Sequence, residues 1–274
     1  MSFPFADVSA SPIGELLSLR GRRALVTGGA RGLGKAIALR LAEAGAAVAI
    51  ADIDETLARN AASDIAGRSD ADVVGVRMDV TDAASVRSAA ATAVAELGGL
   101  DIWINNAGVF PSIPVLETHD DAWERVFAVN TRGVFNGSRE AARQMAPNAS
   151  GVIVNIVSTA GFEGTAPGLS AYVGSKHAVR GMTKQMALEF APLGIRVLGV
   201  APTFVPTEGN MAAAAAAMEA AGLDPAATPP VMKQSLIGRL GTPDDIARVV
   251  LFCASDMSMI MTGSTVLADA GQTI

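Results

Sequence analysis

Tyr172 and Lys176 stand four residues apart in Ala171-Tyr172-Val173-Gly174-Ser175-Lys176, and Tyr172 is the chain's single tyrosine. On a helix that spacing puts both side chains on one face, one turn apart. A neighbouring ammonium favours the phenolate and draws the phenol's pKa down from about 10. That would make the tyrosine a usable general acid and base. The lysines are Lys35, Lys176, Lys184 and Lys233, so one falls at this offset by chance about 1.5% of the time. The plain alternative is a tyrosine beside an unrelated lysine, and the rest of the chain has to decide between them.

A phosphate-holding pattern lies upstream. An apolar run ending at Thr27 passes into Gly28-Gly29-Ala30-Arg31-Gly32-Leu33-Gly34, and a helical pattern opens around Leu33. Glycines at 28, 32 and 34 permit a tight turn and close approach of main-chain N–H groups to a phosphate. The helix start adds its dipole and its free donors. Glycines also serve ordinary loops, but here a strand precedes, a helix follows, and Asp52 closes the second strand. That context favours a dinucleotide site. A carboxylate at Asp52 can accept from both adenosine ribose hydroxyls and would repel a 2′-phosphate. Ile53 brings no positive charge, and Arg31 is the residue that could favour NADP. Asp52 is the tighter constraint, so NAD is the expected cofactor.

These residues need elements to carry them. Short β-branched or apolar runs at 23–27, 47–51, 73–77, 101–104, 151–156, 195–200 and 264–268 read as strands. Helical patterns fall between them near 33–44, 55–66, 82–97, 120–145, 171–191 and 243–254. The alternation predicts an α/β protein, a single-domain doubly wound Rossmann fold. Residues 1–20, with Ile13, Leu16, Leu17 and Leu19, read as an arm or short helix, packed on the domain or on a neighbouring subunit. Residues 21–274 form the catalytic domain. A segment of about 204–238, with alanines 212–217 and Met211, Met218 and Met232, breaks the rhythm and reads as a small helical lid; the alternative is a low-complexity surface insertion.

Composition narrows the function. Half the residues are hydrophobic and 18% charged, which suits a well-buried fold. A net charge of −6 without a basic run gives no footing for nucleic acid. No apolar stretch approaches the roughly 20 residues of a membrane span, and the first 20 residues lack the layout of a signal peptide. One cysteine, Cys253, excludes an intrachain disulfide and fits the cytoplasm. With two distant histidines, His119 and His177, it leaves no metal site expected. Cys253 reads as a small buried apolar side chain, His119 as lying near a helix cap and His177 as a helix-surface residue.

With these residues in hand, the chain resembles the short-chain dehydrogenase/reductase family from residue 21 to 271. The loop at 27–34 is followed in order by Asp79-Val80, Asn105-Asn106-Ala107-Gly108, Asn130, Ser158 and Tyr172 with Lys176. The resemblance implies a seven-stranded parallel sheet of order 3-2-1-4-5-6-7, a nicotinamide cofactor, a small-molecule substrate and a homotetramer. It implies that Tyr172 exchanges the substrate proton and that Lys176 depresses the Tyr172 pKa and holds the nicotinamide ribose. Ser158 would hold the substrate oxygen, with Thr159 as its rival. Asn130 would support a relay water, unless it only distorts its helix. Asp79 and Val80 would meet the adenine, and Asn106, Ala107 and Gly108 would lie beside the ribose. Pro202, Thr203, Val205 and Thr207 would line the nicotinamide end.

The chain departs from the family pattern in places. Thr203 stands where a glycine follows Pro202, and the C-terminal Ala268-Asp269-Ala270-Gly271 lacks the usual paired glycines. The pocket is expected from Phe110, Ile113, Phe162, Glu163, Pro167 and the lid. Its apolar lining suits a hydrophobic or cyclic secondary alcohol and its ketone, while Glu163 could meet a polyol or sugar. The expected activity is therefore an NAD(H)-dependent alcohol dehydrogenase. Its rivals are an NADH-dependent reductase of ketones or β-ketoacyl thioesters, and a dinucleotide sensor or scaffold without turnover.

Overall fold

All seven strands run parallel, so every strand ends at the same edge of one sheet. The computed structural model describes residues 5–211 and 235–274. Its strands are β1 (Arg23–Thr27), β2 (Ala47–Asp52), β3 (Val73–Arg77), β4 (Ile102–Asn105), β5 (Gly151–Ile156), β6 (Ile195–Pro202) and β7 (Thr265–Ala268). They lie in the order β3-β2-β1-β4-β5-β6-β7. The reversal of direction on either side of β1 opens a crevice at the C-terminal edge, between the loops after β1 and β4.

Alternation along the strands divides the core into two layers. Ala24 and Val26 of β1, Ile102 and Ile104 of β4, and Val152 and Val154 of β5 face one layer. That layer is completed by α2 (Gly32–Glu43), α3 (Glu55–Ala66) and α8 (Pro243–Ala254), and it includes the fully buried Cys253. Leu25, Trp103 and Ile153 face the other way, against α4 (Ala83–Leu97), α6 (Gly133–Met145) and α7 (Ser170–Phe190). The central strands are buried on both sides, as a covered parallel sheet requires.

Most expected elements fall within two residues of their observed ends; one does not hold as a unit. The helix expected over 120–145 is α5 (Asp120–Phe127), a π-helical turn (Ala128–Arg132) and α6. That wide turn carries Asn130 inward, where it is fully buried. In the N-terminal segment, the short helix α1 (Ile13–Leu17) leaves Ile13 and Leu17 exposed. Leu19 packs into the core and its N–H donates to the Ala44 carbonyl at 2.8 Å. His119 stands at the N-cap of α5 and His177 on the exposed face of α7. The alanine tract, Met218 and Met232 lie outside the described residues. Among the described residues, no helix is long and apolar enough to cross a membrane.

One polar side chain in β6 holds the far end of the molecule together. Arg196 is 4% exposed, and its guanidinium donates to the carbonyls of Cys253, Ser255, Ser258 and Met261 and to the Ser258 hydroxyl. Burial pulls its pKa down to about 10, with Asp256 acting against that shift. Its carbonyl partners include Cys253 at the C-terminal end of α8, which the Ser258 hydroxyl also reaches at 2.9 Å. Arg196→Met should cost about 2–4 kcal/mol in denaturant unfolding. A variant as stable as wild type would mean those carbonyls find other donors.

Candidate active site

The glycine loop is defined by how closely three segments press together. Gly28 has φ +59°, and a Cβ on it would lie 2.9 Å from Ala107 Cα. A Cβ on Gly34 would lie 2.1 Å from the Gly28 oxygen, so the first turn of α2 sits directly on the loop. Gly34 therefore serves helix-to-loop packing. The Thr27 hydroxyl accepts from the N–H groups of Asn106 and Ala107 at 3.0 and 3.1 Å. The Asn106 amide donates to the Thr27 and Gly28 carbonyls, both at 3.0 Å. Asn106 thus clamps the two loops of the crevice as well as lining it. At the N-cap of α2, Arg31 contributes no side-chain cap. The helix dipole and first-turn donors face the end of the loop, a cradle that fits a pyrophosphate.

Asp52 closes β2, and its carboxylate accepts from the N–H groups of Ala30 and Asp54, both at 3.3 Å. It lines a cleft of about 750 Å³ together with exposed Arg31 and Ile53. Asp79 and Val80 lie on the same lining, Asp79 accepting from Thr81 N–H and hydroxyl. Leu33, Ala107 and Gly108 follow, and Pro202, Thr203, Val205 and Thr207 form the far wall. Two expected residues stand behind the lining. Gly32 (φ +54°) packs against Thr207, and Asn130 is enclosed.

Ser158, Tyr172 and Lys176 converge on one stretch of that cleft. Ser158 lies just beyond β5 in the cleft lining, and its hydroxyl accepts from Ala160 N–H at 3.1 Å. Its capping and site positions are thus the same position. The Lys176 ammonium lies 5.7 Å from the centre of the Tyr172 ring and donates to the Ile156 carbonyl at 2.7 Å. Phe110 packs edge-on against Tyr172 at 5.9 Å.

The electrostatics correct one expectation. Burial raises the Tyr172 pKa, with the nearby Ser158 hydroxyl pulling against it. The ammonium is itself desolvated, and burial brings it down to about 8. Its strongest contact is a main-chain carbonyl rather than the phenol, so in the protein alone desolvation outweighs the cation.

Asn130 braces the site from behind. Its Oδ1 accepts from Val109 N–H, and its amide donates to Val109 O and Ser175 Oγ, at 2.8, 2.8 and 3.0 Å. Ser175 in turn donates to the Tyr172 carbonyl at 2.7 Å. Both amide hydrogens are engaged, so the side chain ties the loop after β4 to the catalytic turn of α7. Sequence reasoning missed Ser175, although its place three residues after Tyr172 was a usable signal. Asn105 is structural, in a buried network with Trp103, Ser138 and Asn155.

The substrate lining differs from expectation. Phe110 and Glu163 line the cleft, whereas Ile113, Phe162 and Pro167 do not. Phe162 instead packs against Val157 and Val179, with the Arg180 guanidinium 3.9 Å over its ring. Ala166, Leu169, Phe204 and Met211 supply apolar wall in their place, and Arg125 and Gln272 add polar groups that nothing in the sequence pattern marked.

Comparison with known proteins agrees with this geometry. A family model described as Enoyl-(Acyl carrier protein) reductase matches residues 28–273. The chain is 38% identical over 262 residues to the 2,5-dichloro-2,5-cyclohexadiene-1,4-diol dehydrogenase LinX of Sphingobium indicum, covering 93% of this chain and 98% of that one. It is 36% identical over 249 residues to a cyclopentanol dehydrogenase of Comamonas, covering 91% and 96%. Among solved structures, a short-chain type dehydrogenase/reductase from Mycobacterium marinum matches with a TM-score of 0.82 and 35% identity, over 94% of this chain and 97% of that chain. The chain belongs to the short-chain dehydrogenase/reductase family and is a nicotinamide-dependent oxidoreductase of the alcohol dehydrogenase type.

Proposed function

We propose that this protein is an NAD(H)-dependent dehydrogenase interconverting a hydrophobic, cyclic secondary alcohol and its ketone, with Tyr172 as general acid and base. The observation that carries the reading is the convergence of Ser158, Tyr172 and Lys176 on a cleft whose other end holds the glycine loop and Asp52. When bound, the nicotinamide accepts or supplies the hydride. Ser158 holds the substrate oxygen beside the tyrosine hydroxyl, and Tyr172 takes the alcohol proton in oxidation and returns it in reduction. Lys176 keeps a positive charge at that end of the cleft and binds the nicotinamide ribose. Asn130 holds Val109 and Ser175 in register behind them, and its main chain is the place left for a relay water.

The substrate class rests on Phe110, Leu169 and Phe204 in the lining and on relatives named for cyclic alcohols. Glu163 in the same lining favours a second reading, a polyol or sugar dehydrogenase. A carrier-bound thioester would look for free cations at the mouth, but Arg239 is paired with Asp245 at 2.6 Å and Lys233 lies outside the described residues. Exposed Trp123 and Phe135 on α5 and α6 support a homotetramer, and the free thiol of Cys253 suits the cytoplasm.

Tyr172→Phe should lose hydride transfer by about 1,000-fold or more while NAD binding stays within about twofold. Retained turnover would sink the assignment. A panel of cyclic alcohols, polyols and hydroxyacyl thioesters, followed at the reduced-nicotinamide band, tests the substrate class.

Asp52 sets the second expectation: kcat/KM with NAD⁺ should exceed that with NADP⁺ by more than about tenfold. Asp52→Asn should narrow the gap, and better turnover with NADP⁺ would overturn the reading.

The sign of the pH dependence follows from the raised Tyr172 pKa. Below that pKa the phenolate fraction grows about tenfold per pH unit. Alcohol oxidation should therefore climb through the alkaline range while ketone reduction falls. Parallel pH–rate profiles in the two directions check this, and an oxidation rate falling with pH would exclude Tyr172 as the base.

A further inference from the structure

The residues closing the far end of the cleft come from two places distant in sequence. Thr203, immediately after β6, donates its hydroxyl hydrogen to Oε1 of Gln272, and both side chains line the cleft. Gln272 is held out on a C-terminal turn built around Asp269. That carboxylate accepts from Gly271 N–H, Thr273 N–H and the Thr273 hydroxyl at 3.0, 3.0 and 2.6 Å. Gln272 N–H returns to the Asp269 carbonyl at 3.2 Å. Ala270 and Gly271 both take positive φ, +55° and +79°, so the turn is tight even though only one of the pair is glycine. Leu236 docks on the same turn, donating its N–H to the Ala270 carbonyl at 3.0 Å.

A hydroxyl has one hydrogen and two lone pairs. With its hydrogen committed to Gln272, Thr203 can only accept from anything else, and a donating hydroxyl is the better acceptor. A glycine at position 203 could offer neither property. We propose that Gln272 is a positioning residue for the dinucleotide. By taking the Thr203 hydrogen it fixes that oxygen as an acceptor, presented to the N–H of the nicotinamide carboxamide. The inference rests on the nicotinamide lying beside Thr203, as in the function proposed above.

The test compares binding of the dinucleotide with that of its 3-acetylpyridine analogue, in which a methyl ketone replaces the carboxamide and removes the N–H donor. Dissociation constants are measured by titration calorimetry for wild type, Gln272→Ala, Thr203→Val, Thr203→Ser and the Gln272→Ala/Thr203→Val double variant. Wild type and Thr203→Ser should prefer the natural dinucleotide by about three- to tenfold. In Gln272→Ala, Thr203→Val and the double variant the preference should shrink to about twofold or less, with no further loss in the double variant. Undiminished preference in both single variants, or losses that add in the double, would overturn the proposal. Should Gln272→Ala fail to fold, Thr203→Val against Thr203→Ser decides alone. A wild-type protein that binds no dinucleotide would overturn the site reading and this inference together; intact wild-type binding with unaltered variants would overturn this inference only.

Discussion

A parallel sheet gathers the C-terminal ends of its strands along one edge, and the main-chain groups where the strands stop have to be paired by something other than the next residue of a ladder. Here side chains do that work. The Thr27 hydroxyl and Asn106 amide satisfy the ends of β1 and β4, the Ala30 N–H after β1 reaches Asp52, and the Lys176 ammonium takes the last carbonyl of β5. The groups that line the cleft are largely those that finish the sheet. Disturbing one of them therefore disturbs the architecture and the chemistry at once, which is why the positions of Ser158, Tyr172 and Lys176 are so closely specified.

Burial pulls both enclosed cations down by a similar amount, each from its own ordinary value. Arg196 is surrounded by four carbonyls and a hydroxyl and keeps a pKa near 10. Lys176 has one carbonyl and the face of an aromatic ring, and falls to about 8. The guanidinium starts higher and so stays charged after burial, whereas the ammonium is left close to its own titration. The first belongs in a girder and the second in a site where charge has to respond to what is bound.

Much of this was readable in the residues. Alternating apolar runs located all seven strands, because side-chain periodicity and burial on both faces are local properties. The glycine loop and Asp52 were readable because the turn, the helix start and the strand end lie in contiguous sequence. The rest depended on tertiary partners. The π turn at Asn130 exists because Val109 and Ser175 are there to receive its amide, and nothing in 120–145 encodes that. Phe162 was assigned to the cleft from its place in a loop, but Arg180 and Val179 from α7 draw it away. The raised Tyr172 pKa was not legible because spacing along a helix reports proximity and not the burial that disfavours the phenolate. Gln272 could not be found, since Thr203, which bonds it on the cleft wall, lies 69 residues earlier in the chain.

The lone thiol has a practical consequence. Cys253 is fully enclosed between α8 and the sheet, and burial pushes its pKa up to about 11. Thiolate is the reactive form, so an alkylating reagent reaches this sulfur only when α8 lifts from the core. With one cysteine in the chain, each labelled molecule records one opening event. The protein thus carries its own unfolding reporter, and a single mass shift would read its kinetic stability without any introduced probe.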